Sequence, residues 1–187
     1  MRVLVACEFS GTVRDAFIQR GHDAVSRDLL PSEQPGPHIQ GNVLDHLSDG
    51  WDLMIAHPPC THLCKAGNRW WPEKLADGRV EEAVRFVRAL REAPIPRIAI
   101  ENPVGLLSKY LRRPTQIIHP WQFGDPWKKE TCLWLYDLPR LTHTKIVEPQ
   151  GHWVEHGNHG KCSNSKDRSR TFPGIADAMA TQWGALQ

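Results

Sequence analysis

Two short apolar runs end in side chains that do chemistry. Asp52-Leu53-Met54-Ile55-Ala56 is followed by His57-Pro58-Pro59-Cys60, and Ile95 to Ile100 is followed by Glu101-Asn102-Pro103. Near neutral pH a thiolate is the most nucleophilic side chain and also a good leaving group. Cys60 therefore suits a step in which a covalent bond forms and then breaks. Glu101 can hold or donate a proton beside it. The bland alternative for Cys60 is a small buried apolar residue, a common fate of free cysteine.

The elements that must position these groups follow from pattern. The run before Cys60 is short, apolar and bounded by turn residues, as in a strand buried on both faces of a parallel sheet. Pro58 and Pro59 cannot donate ladder hydrogen bonds, so the strand stops there and Cys60 lies just past its carboxyl end. In open α/β sheets that edge is where ligands bind. Arg2 to Cys7 reads as a first strand. Glu8-Phe9-Ser10-Gly11-Thr12 follows as a loop, and Val13 to Arg20 has helical spacing closed by Gly21. Only Gly11 of a glycine-rich phosphate fingerprint is present.

His22 to Ser26 reads as a second strand, and Asp28 lies about 20 residues past the first loop, where a carboxylate can accept ribose hydroxyls; a solvated loop carboxylate is the other reading. His38 to Val43 reads as a third strand with a turn, then a short helix begins at Leu44. Thr61 to Asp77 has no clear period but carries His62, Cys64, Lys65, Arg69, Trp70 and Trp71, which suit either nucleic-acid contact or packing over the core. Val80 to Ala93 is the clearest helix. Gly105 to Leu111 reads as a short one. Gln116 to Ile118 and Thr131 to Leu135 read as an antiparallel pair, with Lys128 and Lys129 just before the second. Order falls away from Thr142 to Arg170, and a helix returns over Thr171 to Trp183.

The chain has 187 residues, 40% of them hydrophobic and 24% charged, which fits one soluble globular domain over 1–187 with a loop-rich insert at 145–170. A net charge of +2 is too mild to demand nucleic acid and does not oppose it. Five cysteines at these spacings form no disulfide framework, no run approaches the roughly 20 apolar residues of a membrane span, and the N-terminal apolar run is too short for a signal peptide. A reducing, cytoplasmic setting without membrane contact is expected. Cys7 and Cys132 fall in strand patterns and are expected in the core. The spacing of His57, Cys60, His62 and Cys64 matches no familiar zinc site. His152, His156, His159 and Cys162 are better spaced for a metal, but the simpler reading is a basic segment in which Lys161, Lys166, Arg168 and Arg170 face phosphates. No metal is expected.

Taken together, the glycine-bearing loop, Pro59-Cys60 and Glu101-Asn102 resemble the cytosine-5 DNA methyltransferase family in order and spacing, over roughly Arg2 to Leu138. The compact form is similar to small phage or prophage members that lack a full target-recognition domain. The resemblance implies a Rossmann-like S-adenosylmethionine-dependent fold, mostly parallel with an antiparallel C-terminal hairpin. It implies Cys60 as nucleophile toward carbon 6 of cytosine and Glu101 at ring N3, with Asn102 holding the loop. Glu8, Phe9, Ser10, Gly11, Asp28, Asn42 and Pro58 would line the S-adenosylmethionine site. Asn42 stands where the family has an aspartate and can still accept through its carbonyl. Pro59, Lys128, Lys129, Arg168 and Arg170 would face the substrate. The family's arginine-rich strand motif is not recognisable, and Phe172-Pro173-Gly174-Ile175-Ala176 replaces its closing asparagine motif. The implied partner is DNA, single-stranded DNA included, bound by a monomer or a homodimer. The alternatives are the same chemistry on RNA or a free pyrimidine nucleotide, transfer of a different one-carbon group, and a catalytically silent nucleic-acid- or metal-binding accessory protein.

Overall fold

A computed structural model describes residues 1–153 and 165–186. Seven strands form one sheet: β1 Arg2–Ala6, β2 Asp23–Asp28, β3 His38–Gln40, β4 Leu53–Ala56, β5 Arg97–Pro103, β6 Gln116–Ile118 and β7 Thr131–Tyr136. Their order is β3-β2-β1-β4-β5-β7-β6. The first five are parallel, and β7 runs antiparallel to both β5 and β6. The chain moves outward from β1 through β2 to β3, then returns to place β4 on the other side of β1. The order thus reverses between β1 and β4, and in such sheets a crevice opens there beyond the carboxyl ends of the strands.

Both faces of the central strands are covered, which explains their unbroken apolar runs. Val3, Val5, Leu53 and Ile55 face α1 (Thr12–Ile18) and α6 (Pro173–Gly184), and pack with Val13, Phe17, Ile175, Met179 and Trp183. Leu4, Met54, Ile98 and Ile100 face α3 (Arg79–Arg91), whose stripe of Val80, Val84, Val87 and Leu90 is buried. The shorter helices are α2 (Trp71–Ala76), α4 (Leu107–Tyr110) and α5 (Ser165–Ser169).

One buried cation organises the β1–α1 side. Arg14 is fully buried; its guanidinium pairs with Asp15 and donates to Ser26 Oγ, Ser32 Oγ and the carbonyl of Pro35. Gly11, at φ 77°, lets the chain turn over it, since a Cβ there would lie 2.5 Å from Arg14 Nη2.

The C-terminal segment is pinned to the same loop. Glu33 accepts from Arg170 at 2.9 Å and pairs with Lys166 at 2.9 Å. The hydrogen bond from Arg170, then that from Lys166, holds the Glu33 carboxyl down at about 2 from its usual 4.5, against an upward push from burial. A folded-state value below the unfolded one stabilises the fold above the unfolded value and ceases to do so as pH falls through the folded value. Urea denaturation of the protein and a Glu33→Gln variant is therefore expected to show a stability gap at pH 6 that closes between about 4.5 and 2. A gap that persists unchanged to pH 2 refutes this.

The structure corrects several sequence expectations. β5 does not end before Glu101 but runs through Pro103, because antiparallel β7 extends the ladder, pairing Glu101 with Leu133 and Asn102 with Cys132. β2 likewise extends to Asp28, paired to Gln40 of β3. The third strand is only three residues long, and Val43–His46 is a 3-10 turn that Asn42 caps. Thr61 to Asp77 is largely helical, with a 3-10 segment Lys65–Trp70 leading into α2. Cys132 is buried as expected. Cys7 is not a strand core residue: it sits past β1 at φ 60° and is only partly buried.

Candidate active site

The loops after β1, β4 and β5 meet at the crevice. After β1, Glu8 is buried and its carboxylate is engaged by the chain itself, accepting from Val13 N at 2.7 Å and Arg14 N at 3.2 Å. A carboxylate suits the positive end of α1, so Glu8 shapes the loop from below. Phe9 is buried under the cations of Lys166 and Arg170, 5.0 and 5.9 Å from its ring centroid. Ser10 donates to Glu8 at 3.2 Å.

The loop after β4 is clamped to β5 from two directions. Asn102 Nδ2 donates to the carbonyl of Pro58 at 2.8 Å, and Asn102 Oδ1 is buried without a partner. His57 Nδ1 meets Glu101 Oε2 at 3.1 Å, both side chains mostly buried. Burial alone would raise the Glu101 carboxyl. The His57 hydrogen bond and charge, with Lys129, outweigh it and hold the group below the usual carboxylate range. Cys60 then opens a turn closed by Cys64 N donating to Cys60 O at 2.9 Å. The outer wall of this turn is β5's continuation: Lys65 N donates to Val104 O, and Leu106 N donates to Leu63 O.

Gly105 permits that contact. A Cβ there would lie 2.0 Å from Leu63 O and 2.8 Å from Cys64 Cα, backbone atoms that cannot swing aside. Gly105→Ala is expected to lose about 1–3 kcal/mol of stability by urea denaturation and to displace the Cys60 turn. An unchanged unfolding midpoint would refute the close approach.

The two thiols of the turn touch. The hydrogen bond between them, then burial and the negative neighbours Cys64 and Glu101, push the Cys60 thiol up, with Lys129 opposing. The same bond pulls Cys64 down, helped by the amides of Gly67 and Ala66 and by Lys74, and opposed by burial. Lys74 is itself buried and donates to Thr61 O at 2.7 Å beneath the loop. The two thiols therefore ionise as one hydrogen-bonded pair, the loss of a proton from one opposing its loss from the other.

Beside Glu101 lies a slot of about 10 Å³, room for one water, lined by Lys129, Thr131, Arg170, Phe172 and Met179. On the other side of the loop after β4 lies a cleft of about 90 Å³, lined by Cys7, Arg27, Asp28, Leu29, Gly41, Asn42, Val43, Pro59 and Phe86.

The structure thus brings Cys60, Glu101, Asn102, Pro58 and Lys129 together, and separately brings Asp28, Asn42 and Pro59 together. It gives the other expected residues different surroundings. The Arg170 guanidinium is engaged with Glu33 and Asp167. Lys128 is exposed, with its backbone paired to Gly151 and Trp153, and Arg168 meets the site through its carbonyl, which accepts from Lys129 at 2.9 Å. Trp70 is 49% exposed beneath the Arg69 guanidinium. His156, His159, Lys161 and Cys162 lie outside the described residues. Among the described residues, no three His, Cys, Asp or Glu side chains are placed to hold a metal, and no helix is long and apolar enough to cross a membrane.

Sequence reasoning misses His57, Cys64, Arg27 and Phe86 as members of these sites. Cys64 carries a signal, since C-x3-C in a turn brings thiols one turn apart. Phe86 lies off the apolar stripe of α3, and nothing local marks it.

No protein-family model and no curated protein matches the chain. Among solved structures, it is similar to a protein assigned as a DNA modification methyltransferase encoded within a prophage of E. coli, with 13% identity, a TM-score of 0.47 and coverage of 72% of this chain. This chain spans 46% of that structure's length.

Proposed function

We propose that this chain is an S-adenosylmethionine-dependent DNA methyltransferase of Rossmann-like fold that modifies carbon 5 of cytosine through a covalent Cys60 adduct. The observation that carries the reading is the double clamp of the Pro58-Pro59-Cys60 loop onto β5. Asn102 on Pro58 O and His57 on Glu101 fix a nucleophile just past β4 and a carboxylate on the adjacent strand β5.

The cleft at Asp28 fits the cofactor's nucleoside. Asp28 Oδ1 is used by Leu30 N, which leaves Oδ2 for ribose hydroxyls, while Leu29, Val43, Pro59 and Phe86 offer apolar walls for a purine. Bound there, S-adenosylmethionine supplies an electrophilic methyl group. This chain's residues do the rest. Cys60 Sγ adds to carbon 6 of cytosine as its proton passes to Cys64. Ring N3 takes up a proton from solvent, and the Glu101 carboxylate accepts from that N–H and from the exocyclic amine, steadying the charge that moves into the ring. Carbon 5, now nucleophilic, takes the methyl group. Its proton then leaves to water, and the carbon–sulfur bond breaks to return Cys60. A base is larger than the slot at Glu101, so Lys129 and Phe172 must part to admit it. A duplex substrate would add the cost of flipping the base, about a few kcal/mol.

The test is trapping by oligonucleotides carrying 5-fluorocytosine, whose fluorine cannot leave as a proton. With S-adenosylmethionine, the protein is expected to form an adduct visible by intact mass, and Cys60→Ala is expected to form none. Single-stranded DNA, duplex DNA and RNA arms identify the substrate form. No adduct on any of them, under conditions where S-adenosylmethionine binds, overturns the reading for polynucleotides and leaves a free pyrimidine nucleotide. No adduct and no cofactor binding leaves an accessory nucleic-acid-binding role.

A further inference from the structure

Arg27 is a buried cation without a counter-charge. It lies on β2 between Ala6 of β1 and Ile39 of β3, and its carbonyl accepts from Cys7 N at 2.7 Å. Its side chain is 4% exposed, yet Nε and Nη1 are buried with no hydrogen-bond partner. The contrast with Arg14 is direct: that equally buried guanidinium is saturated by Asp15, two serines and main-chain carbonyls. Nε and Nη1 of Arg27 have lost water and gained no partner in exchange, which is costly. Arg27 differs from Arg14 in one further respect, which is that it lines the nucleoside cleft. Nη2 approaches to 3.0 Å from where a Cβ on Gly41 would stand, so the absence of a side chain at Gly41 leaves room for the guanidinium beneath Asn42.

The rest of the cleft restricts what Arg27 can be waiting for. Asp28 shares the cleft and carries a carboxylate, which disfavours a second anion from the ligand. Asn42 Oδ1 already accepts from Leu44 N at 3.2 Å, which leaves its amide hydrogens to offer. The cleft is therefore rich in donors at its base, with one acceptor at Asp28 for hydroxyls. Leu29, 71% exposed, stands beside it with an apolar face that a flat ring would cover. A neutral heteroaromatic ring with in-plane lone pairs matches that set, and a purine joined to a ribose supplies it.

We propose that Arg27 is a specificity residue of the nucleoside cleft, donating to one ring-nitrogen lone pair of the cofactor's adenine. This rests on the S-adenosylmethionine reading above and adds how the base is told from other flat rings. Arg27 holds a donor ready before the ligand arrives, and the ligand's lone pair takes up that one donor. Adenine has three such nitrogens, and replacing any one of them by C–H removes a single acceptor without changing ring shape.

The experiment is calorimetric titration of the intact protein with S-adenosylhomocysteine and with its 1-deaza, 3-deaza and 7-deaza analogues, repeated on Arg27→Met. The wild type is expected to bind one of the three analogues about tenfold or more weakly than the parent. Arg27→Met is expected to bind the parent and that same analogue equally, since the contact is already lost. Arg27→Lys, which keeps the charge and loses the planar fork, and Asn42→Ala, which removes the other side-chain donor, assign the contact even if Arg27→Met fails to fold: loss of discrimination in Asn42→Ala with discrimination kept in Arg27→Lys overturns the role of Arg27. Parent binding with a flat response to all three analogues overturns the role of Arg27 and leaves the cofactor reading intact. An Arg27→Met variant that still discriminates as the wild type does also overturns it. No binding of any of the four ligands overturns both together.

Discussion

Cys60→Ser is expected to lose at least about 10³-fold in single-turnover methyl transfer, whereas Cys64→Ser is expected to lose less and to recover as pH rises. The asymmetry comes from which thiol attacks and which only accepts a hydrogen bond from it. Cys60 is pushed up by its hydrogen bond to Cys64, by burial and by Glu101, so it must give up a proton as it attacks. Cys64 is the thiol hydrogen-bonded to Cys60, so it is the nearest group along which that proton can leave. A serine at position 60 is of similar shape but far less acidic and less nucleophilic. A serine at position 64 leaves the nucleophile in place and removes only its nearest acceptor, so hydroxide must do that work. The measurement is transfer from radiolabelled S-adenosylmethionine to DNA between pH 6 and 9. A flat ratio between wild type and Cys64→Ser across that range would remove the proton-accepting role. An active Cys60→Ser protein carrying its adduct on Cys64 would exchange the two thiols' roles.

Glu101→Gln is expected to cost about 10² to 10⁴ in the same rate with little change in the unfolding midpoint. Glutamine keeps the length and the ladder position between Asn102 and Ile100 but removes the negative charge that His57 and Lys129 hold in place. His57→Asn is expected to give a smaller loss, because it frees the carboxylate without deleting it. Its signature is a pH profile whose acidic limb moves up, since burial still raises Glu101 while its closest hydrogen bond is gone. If Glu101→Gln transfers methyl groups at the wild-type rate, ring N3 is not where this residue acts.

The sequence carries the site unevenly, and the reasons are physical. Short apolar runs that end at Ala56 and at Ile100 point the same way along parallel strands, so the chain alone suffices to put Cys60 and Glu101 on one edge, though not to find the end of β5. Asp28 and Asn42 are legible because each ends or follows a strand at a regular distance. Arg27 is not, because alternation along β2 shows only that it faces the side opposite Ser26, and charge is usually a sign of solvent. Its guanidinium lies against Gly41, which arrives from a different loop. The His57–Glu101 pair joins residues 44 apart in the chain, a contact made only when β4 and β5 pair in register. The end of β5 is hidden for the same kind of reason: a proline looks like a stop, but Pro103 occupies the last position of a ladder extended by β7.

The layer that covers α1 has a consequence for synthesis. Val13 and Phe17 have only the sheet to pack on until Ile175, Met179 and Trp183 arrive, and the Glu33 loop waits for Arg170. A nascent chain emerging from the ribosome can assemble β1, β2 and β4 early, but it carries α1 with part of its apolar face open until Pro173–Gly184 has emerged. Ribosome-bound chains halted before α6 should therefore be open to proteases and chaperones along α1, and release of that last helix should close the N-terminal half.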